Sequence, residues 1–336
     1  MEKHSIKILM IFLLTSCLSL QAQVTTSSWV SFSTLPADSV IANPVRAIWS
    51  DFTGRMWWGT AMGLYRQASD NAAVRYIYDD SSYNQKSRNN ILAGAATPNG
   101  NVYTGSLLGL TLHEDTSFTN DSLISFPILP DSAVDFIAAD SSNANQIWCG
   151  GIVGLWAYTD SVGGFFTTNS GLGGLTIYDV AIDSIGSVWV ATNNGVTRLW
   201  GGFHINYTTA ESGLNDNLVH SIAVAGNDLS VWFGSDNGLI QFDGDTTWTD
   251  WSDSLPSRRV RSIVYNAADT SLWVATDSGL GAYRPNRPYP ISTWRKYYPG
   301  NTGDSLPQFN LFSLEADTAG RIWVGHSTGV TRLKEN

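Results

Sequence analysis

Few residues of this sequence could do chemistry, and their spacing alone does not gather them. The five histidines, His4, His113, His204, His220 and His326, lie far apart. No run of His, Cys, Asp and Glu has metal-ligand spacing. Phe242-Asp243-Gly244-Asp245 offers two carboxylates but lacks the further oxygen ligands of a calcium loop. A Gly-x-Ser-x-Gly elbow and a phosphate-binding loop are missing, and no cofactor or metal is implied. What stands out is a single position in a repeating frame. It holds, in order, Arg46, Leu92, Asp135, Tyr178, His220, Arg261 and Phe312, with Arg258 and Arg259 just ahead of Arg261. Arginines grip carboxylates or sulfates through forked hydrogen bonds. A Tyr or His beside them can move a proton.

The elements that position this set come from seven internal repeats. Each has a Val/Ile-rich run, in three of them an Asp-x-x-Gly turn, then an aromatic anchor and a Gly-Leu or Gly-Val pair. The anchors are Trp57, Tyr103, Trp148, Trp189, Trp232, Trp273 and Trp323, which recur every 41 to 50 residues. Short alternating apolar runs at this period predict one four-stranded sheet per repeat, strands a to d. The anchors are read as core between sheets, and the Asp residues of the turns (Asp51, Asp183, Asp317) as acceptors for backbone amides. The last repeat ends on strand c, Gly329 to Leu333. An unassigned segment, Trp29-Val-Ser-Phe32, resembles strand d at Trp248–Trp251. It is expected to complete the last sheet and close the ring, removing an open edge. The fold class is therefore all-β: a single seven-bladed β-propeller of four-stranded antiparallel blades over residues 23–336.

The chain has 336 residues, a net charge of −10 and 14% charged residues. Such an acidic balance argues against a nucleic-acid partner, which needs a basic stripe. Residues 1–22 read as a signal peptide: Lys3 and Lys7, a short apolar run from Ile8 to Leu14, and Ala22 before the cut. The alternative is a lipid anchor at Cys17, since Leu14-Thr15-Ser16-Cys17 has the form of a lipoprotein box. Leu18 and Leu20 extend the apolar region past that cysteine and favour simple export. Either way the protein is expected in the periplasm or outside the cell. The mature chain keeps one cysteine, Cys149, and has no apolar run long enough to span a membrane.

The pattern from Leu311 to Val330, with Asp317, Gly320, Trp323, Gly325 and Gly329 in phase, resembles the two-component regulator propeller repeat. That resemblance covers essentially the whole mature chain. It implies the periplasmic sensor-type propeller of hybrid histidine kinases, often used in glycan sensing. The matching residues are core and turn residues, so they specify fold rather than ligand. Read as a standalone exported propeller, this chain lacks the membrane helix and kinase that the resemblance would otherwise bring.

The functional expectation is a non-catalytic binding or scaffold propeller. It would recognise a glycan or an envelope protein through the face holding the starts of the a strands, the d–a loops and the b–c turns. Arg46, Tyr178, His220, Arg258, Arg259, Arg261 and Phe312 are the ligand-binding candidates, and Lys86, Arg88 and His326 are expected on the same face. A plainer reading lets this position face solvent and drift. One alternative function is a carbohydrate-active lyase or hydrolase at the channel mouth, using His220, Tyr178 and the arginines. Another is an accessory ligand-binding partner of a separate two-component sensor.

Overall fold

A computed structural model describes residues 28–31, 44–61, 63–69, 72–76, 89–113, 121–124, 133–140, 143, 146–159, 162–226, 230–285, 294–302, 306 and 310–334. The proposed leader, Cys17, Lys86 and Arg88 lie outside them. Blade 1 holds β2 (Ala47–Ser50), β3 (Met56–Thr60), β4 (Gly63–Ser69) and β5 (Ala72–Tyr76). Blade 2 holds β6 (Ile91–Ala96), β7 (Val102–Ser106), β8 (Gly109–His113) and β9 (Asp121–Ile124). Blade 3 holds β10 (Phe136–Ala139), β11 (Gln146–Gly151), β12 (Gly154–Thr159) and β13 (Val162–Phe166). Blade 4 holds β14 (Ile177–Ile182), β15 (Val188–Thr192), β16 (Gly195–Trp200) and β17 (Phe203–Tyr207). Blade 5 holds β18 (Val219–Ala225), β19 (Ser230–Ser235), β20 (Gly238–Phe242) and β21 (Trp248–Asp250). Blade 6 holds β22 (Val260–Asn266), β23 (Ser271–Thr276), β24 (Gly279–Tyr283) and β25 (Trp294–Tyr297). Blade 7 holds β26 (Leu311–Ala316), β27 (Ile322–His326) and β28 (Gly329–Lys334), completed by β1 (Ser28–Ser31).

Every blade is antiparallel, blades 1 to 6 as meanders of consecutive strands, and the seven together form the expected propeller. The closure also matches expectation: β1 lies antiparallel to β28, with Ser28 opposite Lys334 and Ser31 opposite Thr331.

Among the described residues, seven apolar clusters hold the blades to one another, one at each junction, and each contains one aromatic anchor. Trp57 sits with Ile91 and Val102 between blades 1 and 2. Trp189 sits with Val219 and Phe233 between blades 4 and 5. Trp323 sits with Val45 and Trp58 across the closure between blades 7 and 1. All seven anchors are buried. Large aromatic rings bury the most area per residue, so one per junction carries much of the ring's cohesion. The glycine two residues past an anchor is a matter of space. A Cβ on Gly59 would stand 2.5 Å from Ile91 Cγ2, so a side chain there would push blade 2 away.

The turn aspartates do more than expected. Asp183 Oδ1 accepts from the amides of Ile185 and Ser187, as the turn reading requires. Its Oδ2 also accepts from Trp189 Nε1 at 3.0 Å. Asp51 and Asp317 do the same for Trp57 and Trp323, at 2.9 and 2.8 Å. The hairpin thus satisfies the only polar atom of the buried anchor. In blade 3, Trp148 Nε1 is buried with no partner among the described residues. Asp243 is likewise a turn residue, its Oδ1 accepting from the amides of Asp245, Thr246 and Thr247.

Candidate functional site

The start of each innermost strand pairs with the end of strand b, which brings the b–c turns to the same face. We call this face the mouth. The variable position has a structural cause there. In blades 2, 4, 5, 6 and 7 the pairing register between strands a and b slips across Leu92, Tyr178, His220, Arg261 and Phe312. Each is the extra residue of a β-bulge, left out of the ladder. A bulge re-aims a side chain without altering the strands around it. Arg46 and Asp135 precede their strands, their amides donating to Gly59 O and Gly150 O. The frame therefore repeats while the presented side chain is free to differ.

Neighbouring members of the set meet in part. The rings of Tyr178 and His220 lie edge to face, 5.3 Å apart. His220 Nε2 is 2.9 Å from Oδ1 of Asp236, in the b–c turn of blade 5. Arg259 Nε donates to the same Asp236 oxygen at 2.7 Å and reaches Asp277 Oδ2 at 3.7 Å. Arg261 Nε donates to Asp277 Oδ1 at 2.6 Å. Arg258 donates to Asp253 at 2.6 Å, between two exposed side chains. The result is a chain of alternating charge over blades 5 and 6. Partial desolvation pushes Asp236 up, but hydrogen bonds and charge from His220 and Arg259 outweigh it and hold the carboxyl below its usual range.

The structure thus gives three of the four arginines carboxylate partners within the rim. A cation set waiting for an external anion would have been left uncompensated. Arg46 differs: it is exposed and makes no ion pair among the described residues. Desolvation raises the carboxyl of Asp135, two blades on, and the charge of Arg46 works against that rise. Phe312 is half-buried on blade 7. His326 lies at the mouth end of β27 but is fully buried, its ring held by Thr331 and Thr328, and is unavailable to a ligand.

Below the mouth, the seven a strands surround an axial cavity of about 400 Å³. Two carboxyl groups line it that the sequence reading did not single out. Asp179 accepts from Ser221 Oγ at 3.0 Å and from the amides of Ile222 and Val180, both at 2.8 Å. Glu315 accepts from the Ser50 hydroxyl at 2.7 Å and from its amide at 3.2 Å. Burial raises Asp179 to about 6 despite those bonds. Burial raises Glu315 to about 7, against the Ser50 bonds and with help from the charge of Asp317. Spacing could not have found the contacts with Ser221, Ile222 and Ser50, because those partners lie in other blades. Among the described residues no group of three or more His, Cys, Asp or Glu is placed to hold a metal ion.

No family model matches the sequence, and no curated protein matches it. Solved structures do match the fold. An extracellular domain assigned to a hybrid two component system of B. thetaiotaomicron aligns with a TM-score of 0.73 at 20% identity, over 90% of this chain and 40% of that one. The chain therefore spans about two fifths of the sensor ectodomains it resembles. A catalytically inactive virginiamycin B lyase from Staphylococcus aureus, in complex with quinupristin, aligns with a TM-score of 0.71 at 15% identity, over 93% of this chain and 100% of that one. YCF48 bound to a D1 peptide aligns with a TM-score of 0.66 at 12% identity, over 92% and 97%. At these identities the shared property is the propeller fold. No helix among the described residues is long and apolar enough to cross a membrane.

Proposed function

We propose that this chain is an exported binding propeller that takes its partner, a glycan or an envelope protein, on the mouth rim and does not transform it. The observation that carries this reading is the set of bulges. Five blades repeat the same irregularity at the same place, and each presents a different side chain there. Uniform scaffold with local variation is how sites are grafted onto a shared fold. Arg46, Tyr178, His220, Arg258, Arg259, Arg261 and Phe312 form the contact set. The extracellular setting of the sensor domains of like fold fits export.

The test is a thermal-shift screen of residues 23–336 against acidic and neutral oligosaccharides, with an envelope-extract pull-down in parallel. A ligand at a hundred times its dissociation constant stabilises a fold by about 2.7 kcal/mol. The expected result is a shift or a captured partner that is lost in Arg46→Ala or Arg261→Ala. No shift and no captured partner would count against the reading.

One contact favours a second reading, elimination or hydrolysis at the mouth. His220 and Asp236 form a 2.9 Å pair with Tyr178 edge-on. Donation from Nε2 to Asp236 would leave Nδ1 as the proton acceptor. Incubation with polyuronides, read by the absorbance of a new C=C bond, tests it. Any such activity that survives both His220→Ala and Tyr178→Phe sinks the assignment.

A further inference from the structure

We infer that the mouth receives a polypeptide segment, which seats aliphatic side chains on blades 2 to 4 and an acidic group on Arg46. This rests on the mouth being the binding face and adds the class of partner. The observation is a change in the seven two-residue b–c turns. In chain order their described residues are Ala61, Leu107-Leu108, Ile152-Val153, Asn193-Asn194, Asp236-Asn237, Asp277-Ser278 and Ser327-Thr328. The first three are apolar and the last four polar.

These tip side chains are not needed to form the turns. A flanking hydroxyl fixes each of several turns by donating to the carbonyl of the following glycine: Thr60 to Gly63, Ser106 to Gly109, Thr192 to Gly195 and Thr276 to Gly279. The tips point away from the core, with Leu107 44% and Ile152 64% exposed. On blade 4 the apolar arc continues through Leu175 at 39% and Tyr178 at 36%. A lone exposed aliphatic is ordinary, but a run of them over consecutive blades of one face marks an interaction surface.

Charge selects the occupant. Arg258, Arg259 and Arg261 already meet Asp253, Asp236 and Asp277. Arg46, on the blade before Leu107, is the exposed guanidinium of the set with no ion pair among the described residues. An incoming carboxylate is therefore met at the edge of the apolar arc. Aliphatic tips gain little from a hydroxylated sugar surface and much from Leu, Ile or Val side chains. A peptide carrying both an aliphatic pair and an acidic residue matches the whole arc.

The experiment selects a phage-displayed random peptide library on the mature protein, with counter-selection on Leu107→Asp/Ile152→Asp. Thermal unfolding checks that each variant folds, and Ile152→Asn, which copies the tip of blade 4, serves if the charged pair does not. Enriched peptides should combine aliphatic and acidic residues. As synthetic peptides they should lose about tenfold or more in affinity on Ile152→Asn and on Arg46→Ala. No enrichment over the counter-selected protein, or undiminished binding to both variants, overturns the inference. If an oligosaccharide binds at the mouth and is lost in Arg261→Ala while no peptide is enriched, the partner class is wrong and the binding reading stands. If neither peptide, sugar nor envelope partner binds, both fall.

Discussion

Blades 4 to 7 and blades 1 to 3 are built on one frame but join their inner strands differently. In the first group a polar side chain crosses from each a strand to the next. Asp179 takes the amide of Ile222, Ser221 Oγ that of Ile263, and Ser262 Oγ that of Leu314. Glu315 then reaches Ser50 across the closure. Ser313, next in the series, has a buried hydroxyl with no partner among the described residues, and Glu315 makes the latch in its place. In blades 1 to 3 the positions matching Asp179 and Ser221 are Ala47, Ala93 and Phe136, which cannot make such bonds. There the strands meet by shape: the Trp49 ring lies where a side chain on Gly94 would go. One backbone plan accepts either solution, and only the polar one leaves carboxyl groups in the axial cavity.

Breaking a latch should have the largest effect. Asp179→Ala strips the acceptor from Ser221 Oγ and from the amides of Ile222 and Val180, an expected loss of about 2–4 kcal/mol in urea unfolding. Ala93→Ser, which supplies a hydroxyl at the matching site of blade 2, should change stability by less than about 1 kcal/mol. Equal losses would mean that the two halves do not differ energetically.

The carboxyls also make the latched half sensitive to pH. Unfolded Asp and Glu titrate near about 3.9 and 4.3, whereas Asp179 and Glu315 are raised to about 6 and about 7. The folded state holds protons that the unfolded state has lost, so this contribution is present at low pH and is lost as pH rises from about 4 through about 7. His326, lowered by burial to about 4, works oppositely: its contribution is lost as pH falls below about 6.5. Subtracting the urea midpoints of Asp179→Asn/Glu315→Gln from those of the wild type at each pH isolates the channel. The difference should slope downward with pH, and a flat difference would refute the shifts.

A smaller contrast lies at the anchors. Trp189→Phe removes the Nε1 donor from Asp183 Oδ2 and leaves it the Arg198 guanidinium at 3.7 Å, whereas Trp148 Nε1 has no bond to lose among the described residues. The blade 4 variant should cost about 1 kcal/mol more than the blade 3 variant. The smallest effect is expected at the rim, where Arg258→Ala breaks an exposed pair and should shift stability by less than about 0.5 kcal/mol.

The fold was legible because its determinants recur in phase. Trp57, Trp189 and Trp323 each announce a junction, and the likeness of Trp29-Val-Ser to the strand at Trp248 pointed to the closing pair. The rim was half legible. Variation at Tyr178, His220 and Arg261 could be read along the chain, but the bulges that cause it are a property of pairing. The partners of the arginines were not legible, since Asp236 and Asp277 sit one turn away in blades that only the fold aligns. Glu315 and Ser50 are further apart still, and nothing local distinguishes that glutamate from a surface one. The change from Leu107-Leu108 and Ile152-Val153 to Asn193-Asn194 was visible as letters, but it gains meaning only once all the tips share a face.

The clasp between β1 and β28 fixes a schedule as well as a shape. β1 is synthesised before every other strand of the ring, yet its partner is the last strand to be made. A growing chain therefore spends nearly its whole synthesis as an open arc, with one orphaned strand at its head. Moving residues 28–31 to follow residue 334 through a short hairpin turn would keep all seven sheets and abolish the wait. The native order instead makes the two ends of the ring report on each other: a chain cut short before β28 has no place to put its beginning.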